Sequence, residues 1–191
     1  VAFDLRTASG SDARILYNDP RRFGYMDLVA RADLPAHRHF AGLGIEPTGN
    51  ALDGNALAAL FSGRAMPLKA GLLDQRLIAG LGNIYACEAL WEARLCPRRP
   101  AMSILESSGQ PSNECHVLAD AVASVISRAI DAGGSFLRDH RQTDGTLGYF
   151  QHSFKAYGRQ GEPCLRSGCH GVIERFAQAG RSTFACRTCQ L

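Results

Sequence analysis

The sequence predicts an α+β chain of three stretches in order: strand-like residues first, a helical middle, and a small cysteine-bearing β-hairpin last. Three observations predict it. Apolar and polar residues alternate through the first thirty positions. From about Asp53 to Gly133 the apolar spacing lengthens to that of helices. Near the end, Cys164-x4-Cys169 and Cys186-x2-Cys189 stand sixteen residues apart, the spacing of a tetrahedral Zn²⁺ site. At 191 residues with 46% hydrophobic content, the chain can form one substantial core plus a small satellite module.

Residues 13–17 and 25–29 read as two strands of a hairpin. Their long connection, Asn18-Asp19-Pro20-Arg21-Arg22-Phe23-Gly24, carries two arginines and a phenylalanine where small polar residues are expected. The opening residues 1–6 resemble the middle of a strand and start without Met, so the sequence is expected to be a fragment. Residues 30–50, rich in Pro, Gly and His, read as an inter-domain linker in which His37 and His39 belong to a solvated basic loop.

Helical stripes follow: Leu57, Leu60 and Phe61; then Leu72, Leu73, Leu77 and Ile78; then Ile84, Tyr85, Ala89 and Leu90. The longest helix is predicted from Asn113, as its N-cap, to the Gly133-Gly134 stop. Its core stripe is Val117, Leu118, Ala121, Val122, Val125, Ile126, Ala129 and Ile130. Periodicity then vanishes over residues 135–148, a long irregular loop of the kind that is functional or disordered.

The cysteine module reads as strands 172–176 and 183–185 joined by a tip containing Gly180-Arg181-Ser182. Such a hairpin is too small to hold itself by burial, so bound metal would supply its folding free energy and fix Arg181 on a rigid tip. Two disulfides, or four unrelated buried thiols, are the alternative; no secretory context favours it. Cys87, Cys96 and Cys115 remain as small core residues of a protein in a reducing compartment. No apolar run reaches the length of a membrane span. A net charge of +3 permits nucleic acid without demanding it.

Further candidate sites are weak one by one. Ala79-Gly80-Leu81-Gly82-Asn83 turns the chain between helical stripes, and Asn83, as cap of the next helix, could grip a phosphate with the exposed N–H groups beside it. It is not a dinucleotide fold, because no strand precedes it and Tyr85 stands where a third glycine is needed. Read alone, it is an ordinary capped helical hairpin. Arg21-Arg22-Phe23 suits an aromatic wedge for a base stack flanked by cations, or a half-buried Phe beside two solvated arginines. Arg64 and Lys69 flank Met66-Pro67 on a turn between helices.

Their order in one chain is specific. Arg-Arg-Phe, Lys69 before Leu72-Leu73-Asp74-Gln75, Gly82-Asn83-Ile84-Tyr85, the Gly-containing loop, Gly161-Glu162-Pro163-Cys164 and Gly180-Arg181-Ser182-Thr183-Phe184 together resemble the formamidopyrimidine-DNA glycosylases over essentially all 191 residues. The resemblance implies the closing strands of an N-terminal β-sandwich with linker (1–48), a helix-two-turn-helix domain with a lesion-capping loop (49–150) and a zinc finger (151–191). It implies a bifunctional DNA glycosylase/lyase that removes oxidised purines from double-stranded DNA through a Schiff base and β,δ-elimination. The protein would be a monomer in the bacterial cytoplasm.

The same resemblance implies roles residue by residue. Asn83 would contact phosphates beside the lesion. Arg181 would hold the same strand and donate the proton of the δ-elimination. Arg21 would fill the space left by the extruded base, with Arg22 beside it and Phe23 wedged into the stack. Arg64 and Lys69 would meet the damaged nucleotide or the backbone, and residues 135–148 would cap the base. One structural Zn²⁺ would sit on Cys164, Cys169, Cys186 and Cys189, although the first pair encloses four residues where many relatives have two. The family's Pro-Glu-Leu-Pro-Glu start has no match, so this chain is expected to lack the nucleophile and only to bind DNA. Endonuclease VIII-like enzymes for oxidised pyrimidines, or a non-enzymatic zinc-ribbon DNA-binding protein, are the rival readings.

Overall fold

The computed structural model describes residues 1–19, 22–49, 51–135 and 149–191. The chain divides into two compact units, Val1–His37 and Arg38–Leu191. In the first, β1 (Ala2–Arg6) pairs antiparallel with β2 (Asp12–Leu16), Phe3 opposite Ile15 and Asp4 opposite Arg14. Gly10, at φ 81°, donates to the Thr7 carbonyl at 2.9 Å, and the Thr7 hydroxyl accepts from Ser11 N–H at 3.1 Å.

This corrects the expected hairpin. The partner of β2 lies before it, and residues 25–29 form no strand. A short turn closed by Thr, Ser and a left-handed Gly needs less loop ordering than a seven-residue connection containing Pro20.

Among the described residues, four α-helices build the second unit. Asp53 starts α1 (Gly54–Phe61) by accepting Ala56 N–H at 2.7 Å. The short α2 (Leu68–Leu73) lies against α3 (Asn83–Glu92), and α4 (Asn113–Asp131) packs on both α1 and α3. Leu57, Phe61, Leu68, Leu72, Leu90, Leu118 and Val122 are fully buried at their junction. Burial of each such side chain contributes about 1.5–3 kcal/mol. Gly71 lets Phe61 approach the α2 backbone: a Cβ there would stand 2.9 Å from the ring.

Two caps fall one residue earlier than expected. Ser112, not Asn113, caps α4, its hydroxyl accepting Glu114 N–H at 3.0 Å while bonded to the Ile104 carbonyl. Gly82, not Asn83, is the N-cap of α3, which leaves the Asn83 side chain available elsewhere. In α4, Val117 and Ile130 are exposed, and Cys115 and Ala119 occupy the buried face instead. Cys87 is buried as well, and Cys96 is half-buried.

Part of the expected linker belongs to the second unit. Ile45 N–H donates to the Leu77 carbonyl at 3.0 Å and the Ile45 carbonyl accepts Ala79 N–H at 2.9 Å, a bridge beside the glycine-rich turn that leads into α3.

The C-terminal hairpin joins β3 (Ile173–Gln178) to β4 (Arg181–Cys186), from Ile173 opposite Cys186 to Gln178 opposite Arg181. Its turn is Ala179-Gly180, at φ 49° and 71°, the two left-handed residues that a tight hairpin requires. Arg181 therefore opens β4 rather than sitting within the turn. Among the described residues no helix is long and apolar enough to cross a membrane.

Candidate metal centre and nucleic-acid interface

The four cysteines arrive by different routes. Cys164 and Cys169 bracket a tight knuckle in which Cys164 N–H donates to the Gly171 carbonyl at 2.9 Å and Gly168 takes φ 72°. Cys186 ends β4, and Cys189 follows in a turn closed by Gln190, whose side chain accepts Cys186 N–H at 2.8 Å and donates to the Leu95 carbonyl at 3.0 Å. All four sulfurs lie within 4.8 Å of one another.

Cys164 Sγ and Cys189 Sγ are 3.7 Å apart, as are Cys169 Sγ and Cys186 Sγ. A disulfide needs about 2.05 Å, whereas a tetrahedron of thiolates on zinc at about 2.3 Å has edges of about 3.8 Å. All seven cysteines are free. The cluster can therefore hold a metal ion, with its four corners supplied by protein.

The surroundings favour thiolate at Cys164. Burial pushes the Cys164 thiol up, but the Arg166 backbone N–H, the Trp91 indole and the neighbouring thiols outweigh it and bring the value to about 7. Trp91 Nε1 donates to Cys164 Sγ at 3.3 Å, and the Arg166 guanidinium stacks over the Trp91 ring at 4.4 Å. Cys189 is pushed up to about 12, by burial first and then by the Cys164 and Cys186 thiols, against a hydrogen bond from Arg166. Four thiols this close resist ionising together unless a cation compensates them.

The hairpin tip docks on the helices. Ser182 O accepts from two side chains: Asn83 Nδ2, at the first turn of α3, at 2.9 Å, and Lys69 Nζ, in α2, at 3.2 Å. Lys69 Nζ also donates to Thr183 Oγ1 at 2.8 Å, Thr183 Oγ1 donates to Gln178 Oε1 at 3.3 Å, and Gln178 Nε2 donates to the Pro97 carbonyl at 3.0 Å. Arg181, the residue before Ser182, is exposed. Asn83 and Arg181, distant in sequence, thus meet at one place. Asn83 Oδ1 is buried without a hydrogen-bond partner.

Lys69 departs from its expected place on a turn. It is in α2 and 1% exposed, because Leu68 and Leu72 turn that helix into the core and the hairpin supplies acceptors for the amine. Burial lowers its pKa; Cys87 opposes this and the Arg181 charge adds to it. Arg64 is exposed and caps the end of α1, donating to the Leu60 carbonyl at 2.7 Å; no hydrogen bond joins it to the tip. In the first unit, Arg22 (φ 55°) and Phe23 are exposed, Phe23 at 77%. Arg21 and residues 136–148 of the expected capping loop lie outside the described residues.

Several residues of this site escaped sequence reasoning. Glu88 is 4% exposed, and its carboxylate accepts the backbone N–H groups of Lys155, Ala156 and Tyr157 at 2.7, 2.9 and 2.7 Å. That fixes the segment leading into the finger, where Tyr157 packs on Phe184 at 4.8 Å. An acid inside the apolar run 86–91 was the available signal. Trp91, Gln178, Thr183 and Gln190 carried none.

The chain is similar to known proteins in sequence and fold. Residues 43–141 match the "Formamidopyrimidine-DNA glycosylase H2TH domain". Over 190 residues the chain is 59% identical to the formamidopyrimidine-DNA glycosylase of Chelativorans sp. (strain BNC1), covering 100% of this chain and 64% of that protein. It is 56% identical over 190 residues to the enzyme of that name from Rhizobium meliloti (strain 1021), covering 100% and 63%. The chain thus spans less than two thirds of the length of these relatives. The MutM (FPG) protein of Thermus thermophilus superposes with TM-score 0.79 at 41% identity, over 98% of this chain and 67% of that one. A Lactococcus lactis FPG mutant bound to Fapy-dG containing DNA gives TM-score 0.81 at 31% identity, over 98% and 65%.

Proposed function

Because the chain belongs to the formamidopyrimidine-DNA glycosylase family, we propose that it works in base-excision repair, as the part of a glycosylase/lyase that grips duplex DNA beside an oxidised purine. The observation that carries this reading is the meeting of Asn83 and the finger tip on Ser182 O, with Arg181 exposed beside it. A side-chain amide at a helix start and a guanidinium on a docked tip are two phosphate-binding groups of the kind that positions a protein on a nucleic-acid strand.

Chemistry at C1′ of a stacked nucleotide requires the base to be extruded, and the vacated space must be filled. Phe23 wedges the stack, with Arg21 and Arg22 beside it, and Arg21 meets the orphaned base. Asn83 and Arg181 hold the phosphates of the damaged strand, Arg64 extends the contact, Lys69 lies buried behind the finger tip, and residues 135–148 close over the base. In this division residues 1–48 bring the wedge, 49–150 the helical grip and capping loop, and 151–191 the finger. The whole protein's reaction is attack of an amine on C1′, a Schiff base and β,δ-elimination, with Arg181 donating the last proton. It acts as a monomer on the bacterial chromosome, in the cytoplasm.

The metal is one structural Zn²⁺ on Cys164, Cys169, Cys186 and Cys189. Bound there it neutralises the thiolates and supplies folding free energy to the hairpin, so that Arg181 sits on a rigid strand. Competition binding tests the reading. A duplex with one abasic-site analogue should bind at least about tenfold tighter than undamaged duplex. Equal affinity for the two duplexes would refute it.

A further inference from the structure

Lys69 has the chemistry of a DNA contact and the location of a core residue. It is 1% exposed, and among the described residues its ammonium donates only to Ser182 O and Thr183 Oγ1, with no carboxylate beside it. A buried cation without a counter-ion is costly, and a phosphate contact would require it at the surface. What it touches is the hairpin strand at the two residues after Arg181. From α3, Asn83 donates to the same Ser182 carbonyl, so donors on two helices hold one peptide group. The Thr183 hydroxyl donates its own hydrogen bond to Gln178 Oε1, which fixes it as an acceptor toward Lys69.

We propose that Lys69 is a positioning residue that acts on DNA through Arg181: with Thr183 it docks the finger tip on α2 and thereby fixes the strand from which Arg181 projects. The tip of an isolated two-stranded hairpin frays readily. The cysteine cluster gathers the opposite end of β4, at Cys186, and the docking holds this end. The proposal rests on the DNA-binding reading for its consequence, and on the hairpin geometry alone for its cause.

Three measurements test it. Lys69→Met keeps the side-chain length and removes the donor. Thr183→Val removes the acceptor, and Thr183→Ser restores it. Amide hydrogen exchange at residues 178–183 should accelerate on the order of tenfold in K69M and T183V, and return close to wild type in T183S. Unchanged exchange in K69M overturns the proposal whether or not the chain binds DNA.

In binding to an abasic-site duplex, R181A should lose about one unit of salt slope, as for one phosphate released. K69M should weaken binding on the order of tenfold, and the K69M/R181A double variant should bind within about twofold of R181A alone. Full additivity would make Lys69 an independent DNA contact and overturn the proposal. A wild-type chain without affinity for the duplex would instead remove the DNA-binding reading, and the exchange measurement would still decide whether Lys69 docks the tip.

Discussion

Replacing Glu88 by Gln should destabilise the second unit more than any single exposed charge could. The carboxylate accepts three backbone N–H groups from one short segment: Lys155 on one oxygen, Ala156 and Tyr157 on the other. Among the described residues it forms no ion pair, so its charge is compensated by those peptide dipoles. Hydrogen bonds to a charged group contribute about 1.5–3 kcal/mol each, and neutral ones about 1. In E88Q two bonds become neutral, and the third is replaced by an amide donor facing Lys155 N–H. About 1 kcal/mol lost at each of the first two and about 1.5–3 at the third give about 3.5–5 kcal/mol. For a chain of this size that lowers Tm by roughly 7–20 °C. Thermal unfolding of metal-loaded wild type and E88Q measures it, with E88D as a shorter group that keeps the charge. An E88Q Tm within about 1 °C of wild type would show that these three contacts do not hold the segment.

The remaining predictions are narrower. Metal analysis should find one zinc per chain, and chelation should shift the emission of Trp91, the single tryptophan, because its indole touches Cys164; absent zinc, or mass-spectrometric 164–169 or 186–189 disulfides, would contradict this. Asp74, held by Arg76 hydrogen bonds at a pKa of about 2 against an ordinary 3.8, stabilises the fold above the ordinary value. Its contribution, about 1 kcal/mol once solvent screening of the exposed Arg76 is counted, should fade as pH falls from about 4 toward 2, and acid titration of Asp74→Asn should lack that component. Gly44→Ala would set a Cβ 2.2 Å from the Leu77 carbonyl oxygen and should cost about 1–3 kcal/mol in urea unfolding.

What could be read from the sequence depended on how local the determining forces are. The four-cysteine cluster was legible because its spacing is that of ligands gathered around one ion, and the hairpin strands beside it were placed to within two residues. The helical middle was legible from periodicity, yet the face of α4 was misjudged at Val117 and Ile130. Which edge of a stripe is covered depends on α1 and α3, not on α4. Ser112 and Asn113 are adjacent good caps, and only the Ile104 carbonyl, already bonded to the Ser112 hydroxyl, distinguishes them. The first hairpin failed because strand pairing is decided between segments, and the compact turn at 7–11 outweighed the alternation at 25–29. Lys69 was recognised as important and misplaced. Its acceptors, at Ser182 and Thr183, are more than a hundred residues away, beyond the reach of any local pattern.

Phosphate ethylation interference on a duplex with one abasic-site analogue tests the shared grip of Asn83 and Arg181 most directly. Interference should be confined to phosphates adjoining the lesion on the damaged strand, and Asn83→Ala and Arg181→Ala should each abolish it at the same phosphates. Interference spread equally over both strands, or erased by the two variants at separate positions, would contradict a single site built where α3 meets the finger tip.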